Sequence, residues 1–227
     1  MPPIKEKQFI PALFNKCVTN VVVVVFPLVP EIPIMVAFVY QPANSISEMT
    51  EIPFALILTE LFGHGDIRNI GSGNIGATNA LRTGNKLIGY STLILDILKA
   101  VIPIIFVKNY YPDFIYIASL SAFLGHVFPV WLYFKGGKGV ATYVGILFTL
   151  NLTYGFVFIV SWSLTFLISK YSSLSSIVAS LMVPIYILIF VNSNSIFFVI
   201  MFVLIFYNHR ENVKRLKNKE ENKTKIY

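Results

Sequence analysis

Cysteine occurs once in this chain, at Cys17, so it can build neither an internal disulfide framework nor a cysteine-based metal site. Charge is also scarce: Asp, Glu, Lys and Arg make up 13% of the 227 residues, against 56% hydrophobic, and mean hydropathy is +0.70. A soluble domain of this length would not tolerate that balance, which points to an integral membrane protein. Acidic residues are the rarer sign, 11 against 18 basic, for a net charge of +7. The basic residues lie beside apolar runs and are not interleaved with aromatics on a soluble face. That excludes nucleic acid and favours anionic lipid and an anionic substrate as partners. Aromatics are plentiful at 15%, with 20 Phe and 12 Tyr, as suits lipid-facing surfaces and interfacial belts.

The apolar runs predict an all-α, polytopic membrane fold. Residues 1–50 are the atypical part: Lys5, Lys7 and Lys16 precede a run that Pro27, Pro30, Glu31 and Pro33 interrupt, and no small-residue cleavage site marks a signal peptide. The first span is expected at 46–62, where Glu48, Glu51 and Glu60 weaken it. Spans at 87–107 and 114–133 follow. The stretches 140–169 and 174–207 exceed the roughly 20 residues one span needs. The first is interrupted at Asn151, Thr153 and Gly155, the second at Asn192 to Ser195. Reading each as a pair puts Lys170 on the same side as Lys135 and Lys138, as the positive-inside rule prefers, with Lys108 the exception. Seven transmembrane helices result. The domain at 51–208 then ends in a basic cytoplasmic tail, 209–227.

Polar chemistry concentrates in the loops. Residues 125–142, GHVFPVWLYFKGGKGVAT, pack Gly136, Gly137 and Gly139 around Lys138, with Lys135 adjacent and a helix start expected near Val140. Glycines bring backbone N–H groups close to a ligand, and the helix N-terminus adds positive potential. This is an anion cradle or a membrane-edge turn facing headgroups. It is not a Walker A loop, since Leu132 and Gly139 occupy the glycine and hydroxyl positions. Residues 63–86 form a second glycine- and asparagine-rich loop, offering Ser72, Asn74, Thr78 and Asn79 with Arg68, Arg82 and Lys86. Arg82 suits bidentate phosphate binding, although a plain solvated loop accounts for the turn glycines. Asp96 and Lys99 share a helix face and read as a structural ion pair in preference to a transport pathway. His126 fits a structural hydrogen bond as well as catalysis. The tail from Asn208 carries His209 and Asn212 ahead of Lys214, Arg215 and Lys217, and lipid attraction explains the cations better than it explains the first two. Two anion sites are within this inventory, one at Ser72 and the GGKG turn, the other at Arg82, His209 and Asn212.

The segments GSGNIGATNALR (71–82), GHVFPVWLYFKGGKGVAT (125–142) and HRENVKRL (209–216), with KYSSLSSI (170–177), resemble the PlsY family, the bacterial acyl-phosphate:glycerol-3-phosphate acyltransferases. The resemblance spans about 52–217 and departs at the N-terminus, where EMTEI precedes Pro53 in place of an uninterrupted apolar helix and a G-S-I-P-F-like sequence. It implies a seven-helix enzyme of the bacterial inner membrane with its site facing the cytoplasm. The implied reaction is acyl transfer from acyl phosphate to the 1-hydroxyl of glycerol 3-phosphate, giving lysophosphatidic acid and phosphate, with no metal or cofactor. By the resemblance, Ser72, Lys138, Ser176 and His209 are catalytic positions, while Gly73, Asn74, Arg82, Gly136, Gly137, Gly139 and Asn212 bind substrate. Donor phosphate is assigned to Ser72 and the GGKG turn, glycerol phosphate to Arg82, Lys138, His209 and Asn212. The base is the acceptor's own phosphate or His209. Two other classes remain as rivals. An organic-anion transporter would place polar residues at mid-depth in several spans, and a noncatalytic lipid-binding subunit would need only the basic tail.

Overall fold

The structure is a computed structural model, and it describes residues 46–191 and 195–224. The expectations for 1–45 lie outside the described residues. Every regular element among the described residues is helical. Residues 46–50 form a short helical stretch, followed by α1 (Phe54–Leu61) and α2 (Ala77–Ala80). The longer helices are α3 (Lys86–Tyr110), α4 (Ile115–Val127), α5 (Val140–Leu150), α6 (Leu152–Ser169), α7 (Ser172–Phe190), α8 (Ser195–Asn208) and α9 (Arg210–Lys217).

The paired reading of the two long apolar stretches matches the breaks. Asn151 leaves the helix in extended conformation, φ −159°, and its side chain accepts from the Thr153 N–H at 2.8 Å, so α5 ends and α6 is capped at one residue. α8 ends at Asn208, and α9 leaves it at 59°. The expected first span is less continuous than the sequence implied. Pro53 stands at its centre without an N–H and divides it into 46–50 and the eight-residue α1, which rises only roughly 12 Å. Among the described residues, α3, 112–132, α6 and α7 are long and apolar enough to cross a membrane, and α8 with α9 would make a fifth such span. α5 is apolar but has 11 residues. The fold is therefore an all-helical integral membrane bundle, but its helices do not by length alone give seven crossings.

The core runs through the bundle from Ala100 and Ile104 on α3 to Phe123, Tyr143, Ile146, Leu147, Phe158, Val183, Ile187, Met201 and Ile205. Without a hydrophobic drive between lipid-bathed helices, close backbone approach matters most. Gly145 supplies it: a Cβ there would stand 2.8 Å from the Ile97 carbonyl oxygen of α3. The Asp96 and Lys99 side chains form the expected ion pair, Nζ to Oδ1 2.7 Å, and Lys99 also donates to the Ile52 carbonyl at 2.8 Å. The ammonium thus ties α3 to the segment before α1. Lys108, the exception to the charge asymmetry, donates to the Thr149 carbonyl at 2.6 Å, satisfying an acceptor at the C-terminus of α5.

Candidate active site

The loop between α1 and α3 is shaped by one buried amide. Asn79 on α2 donates through Nδ2 to the carbonyls of Ile67 (3.2 Å) and Ile70 (2.8 Å). Its Oδ1 accepts from the Ser72 N–H at 2.9 Å and from Ser72 Oγ at 3.3 Å, and Arg82 Nη1 lies 3.5 Å away. A single side chain therefore sets both the loop backbone and the two groups it presents. Gly71, φ +57°, allows the chain to pass this amide, since a Cβ there would overlap Asn79 and Arg82. Arg68 is engaged elsewhere, on Asp66, whose carboxyl is held low by that guanidinium.

The GGKG turn is built by contact. The Gly136 and Gly137 N–H groups donate to the Val127 and His126 carbonyls, both at 3.1 Å, so these amides are spent on α4. Gly137 lies against the His126 imidazole and Gly139, φ +82°, against the Phe123 ring, where any Cβ would collide. The turn projects Lys138 away from this packing, and α5 starts immediately afterwards, its N-terminus capped by Gly139. Lys138 Nζ donates to Asn212 Oδ1 at 2.5 Å. Burial, with Arg215 and Arg82 nearby, lowers its pKa to about 8.

The bend between α8 and α9 places His209 and Asn212 beside Lys138. Both are buried, and His209 Nδ1 lies 2.8 Å from the Ile205 carbonyl, so that nitrogen carries the proton and Nε2 keeps the lone pair. Burial first, and Lys138 second, push the imidazole down to about 4. Beyond α9 the chain turns back. Glu221 accepts from Asn212 Nδ2, Ser173 Oγ and Arg215 Nε, each at 2.7 Å, and the Thr224 N–H donates to the Lys170 carbonyl at 2.9 Å. Burial alone would raise the Glu221 carboxyl, but the three donors outweigh it and hold it below its usual range.

Ser176, on the first turns of α7, donates to the Ser172 carbonyl at 2.9 Å and accepts from Trp162 Nε1 at 3.1 Å. Its hydroxyl proton is thus committed to its own helix. That arrangement suits an orienting group better than a nucleophile, which needs a base at its proton.

These segments meet at one end of the bundle around a cavity of about 350 Å³. Ser72, Asn74, Arg82, Lys138, Gly139, Ser176, His209 and Asn212 all line it, so the two anion sites expected separately share one space. Gly73, Gly136 and Gly137 lie off its wall and serve as bends or packing. Lys135 is exposed beside the turn. Asp96 and His126 border the cavity, Nδ1 to Oδ1 3.9 Å, and Asp96 is paired with Lys99. Sequence reasoning missed Glu221, Ser173 and Trp162. It also missed the apolar wall of Leu93, Ile97, Val144, Phe158 and Ile159.

A cation- and amide-lined pocket against an apolar wall, set between membrane helices, fits a membrane protein that handles an anionic, phosphorylated molecule beside apolar chains. Comparison with known proteins sharpens this. Residues 49–219 match the family model of glycerol-3-phosphate acyltransferase. The chain is 76% identical over 176 residues to a glycerol-3-phosphate acyltransferase of Pelagibacter ubique, covering 78% of this chain and 92% of that one. Against the Brucella anthropi enzyme of the same name it is 49% identical over 173 residues, covering 76% and 86%. It also resembles the crystal structure of PlsY, an integral membrane glycerol 3-phosphate acyltransferase, in its glycerol 3-phosphate form. There the TM-score is 0.76 at 31% identity, covering 82% of this chain and 95% of that one. The lysophosphatidic acid form of PlsY gives 0.73 at 30%. The chain belongs to the glycerol-3-phosphate acyltransferase family.

Proposed function

We propose that this protein transfers an acyl chain from acyl phosphate to the 1-hydroxyl of glycerol 3-phosphate, releasing inorganic phosphate and lysophosphatidic acid. The observation that carries this reading is the sharing of one cavity by Arg82, Lys138, His209 and Asn212 and by an apolar wall. The acceptor oxygen attacks the acyl carbonyl carbon, the bond from that carbon to the phosphate oxygen breaks, and the phosphate departs with the electron pair. A mixed anhydride is already activated, so orientation and charge neutralisation supply most of the acceleration. Ser72 and the start of α5 face the donor phosphate. Arg82, Lys138, His209 and Asn212 hold the acceptor phosphate, and Ser176 orients.

The hydroxyl proton passes to the acceptor's own phosphate. A histidine held near 4 by burial and Lys138 is a weak base at neutral pH, which favours a binding role for His209. The enzyme sits in the bacterial inner membrane with seven crossings, counting 46–62 and α5, and its polar end faces the cytoplasm. Neither metal nor cofactor takes part.

Purified protein given acyl phosphate and glycerol 3-phosphate should release phosphate and form the lysolipid, and an acyl thioester in place of the acyl phosphate should not. His209→Gln should raise KM for glycerol 3-phosphate with kcat comparatively intact. A fall in kcat alone of about 10²-fold would assign the proton to His209. In a Cys17→Ala background, cysteines replacing Lys135, Lys170 and Lys219 should label from the cytoplasmic side only. Labelling of position 170 from outside would refute the topology.

A further inference from the structure

The tail beyond α9 holds the least expected group in the site, a carboxylate among phosphate-binding cations. Glu221 lies 48 residues beyond Ser173 in the chain and 9 beyond Asn212, yet its side chain is only 8% exposed and both oxygens are occupied. Oε1 accepts from Asn212 Nδ2 and Ser173 Oγ, and Oε2 accepts from Arg215 Nε. Asn212 therefore stands between two one-way partners. An ionised carboxylate only accepts and an ammonium only donates, so the amide has a single consistent orientation, Nδ2 toward Glu221 and Oδ1 toward Lys138. Without the carboxylate, Nδ2 loses its acceptor and the amide is held from one side only, by the Lys138 ammonium on Oδ1. Ser173 extends the same hold to the start of α7, one turn before Ser176.

We propose that Glu221 is a positioning residue for the acyl transfer: it locks the Asn212 amide and, through it, the Lys138 ammonium that receives the acceptor phosphate. This rests on the assignment of Lys138 and Asn212 to glycerol 3-phosphate made above. Glu221 lines the cavity, but both its oxygens are taken up by Asn212, Ser173 and Arg215, so it acts through Asn212 and not on the phosphate, which it would repel.

The test measures the Kd of sn-glycerol 3-phosphate by calorimetry, alongside KM and kcat from phosphate release, on the full-length protein. Glu221→Ala should weaken Kd and raise KM for glycerol 3-phosphate by about tenfold, with kcat and the donor KM within about twofold. Glu221→Gln retains an acceptor for Asn212 and Ser173 but sets an amide N–H₂ against Arg215, so its loss should be about threefold or less. In an Asn212→Ala background, Glu221→Ala should add nothing further, since the amide it orients is gone. Glu220→Ala, an exposed neighbour, should match wild type. Wild-type affinity in Glu221→Ala, or a full additive loss in the Asn212→Ala background, would overturn the proposal. Should Glu221→Ala not fold, Glu221→Gln combined with Asn212→Ala decides on the same criterion. Loss of affinity without any phosphate release by the wild type would refute the donor assignment and leave the positioning role standing.

Discussion

Two glycine-rich, cationic segments reach the same cavity but are held in opposite ways. The loop at 71–82 is braced by a side chain, Asn79, which reaches Ile67, Ile70 and Ser72. Much of its flank is loose, and a Cβ at Gly63, Gly65 or Gly84 would meet nothing. The turn at 136–139 has no such brace. Its glycines are pressed on His126 and Phe123 and two of their N–H groups donate to α4 carbonyls, so its shape is set by close backbone contact. The same residue type thus marks conformational freedom in one segment and close contact in the other, and their tolerance of change should differ accordingly.

The sharpest break of the comparison is Gly139→Ala, which adds a Cβ against the Phe123 ring at a left-handed φ. Overpacking of about 1–3 kcal/mol and left-handed strain of about 1–2 kcal/mol should add, lowering the melting temperature in detergent and cutting phosphate release by about 10²-fold or more. Next comes Asn79→Ala, which leaves the Ile67 and Ile70 carbonyls and the Ser72 N–H without that partner. The two carbonyls still accept from the Ile70 and Gly73 N–H groups, so the loss is of three bracing hydrogen bonds at about 0.5–1.5 kcal/mol each; activity should fall by about tenfold to 10²-fold, with KM and kcat both moving because Ser72 and Arg82 lose their register together.

A smaller effect separates the segments by pH. Lys138 is held near 8 by burial, so kcat/KM should fall as pH rises through about 8, where the free enzyme's ammonium loses its proton. Lys138→Arg should remove that limb even if it lowers the plateau, because guanidinium does not titrate there. Stability runs the other way. The folded protein disfavours the charged lysine, so between about 8 and the ordinary lysine range the unfolded chain binds more protons, and this group's contribution to stability rises with pH. The smallest change is Gly84→Ala. Only its left-handed φ of +84° opposes a side chain, so a melting shift equivalent to about 1–2 kcal/mol with activity within twofold is expected.

The sequence carried the bundle because apolar length and polar interruption act locally. Asn151 breaks its run through its own backbone and cap. It carried the site's cations for the same reason, since Lys138, Arg82 and His209 lie in distinctive local patterns. What it could not carry were relations across the chain. Glu221 sits in a run of lysines, where a grip on anionic lipid explains the charge, and its role depends on Asn212 and Ser173. Gly136 and Gly137 were read as ligand-facing because glycine spacing reports that no Cβ is wanted and is silent on what occupies the space. In the structure it is His126 and the α4 carbonyls. The break in the expected first span is also a matter of one residue: Pro53 divides 46–50 from α1.

Tyr90, Leu93 and Ile159 border the cavity and are 45%, 39% and 41% exposed. In the proposed reaction this wall would be open to the bilayer on one side. An amphiphile entering or leaving by it exchanges with the surrounding bilayer without crossing water. Its relevant concentration is then a mole fraction in a two-dimensional solvent. Diluting the donor with inert detergent at constant molarity should slow the enzyme, whereas diluting the whole assay with buffer at constant glycerol 3-phosphate should leave the turnover per enzyme almost unchanged.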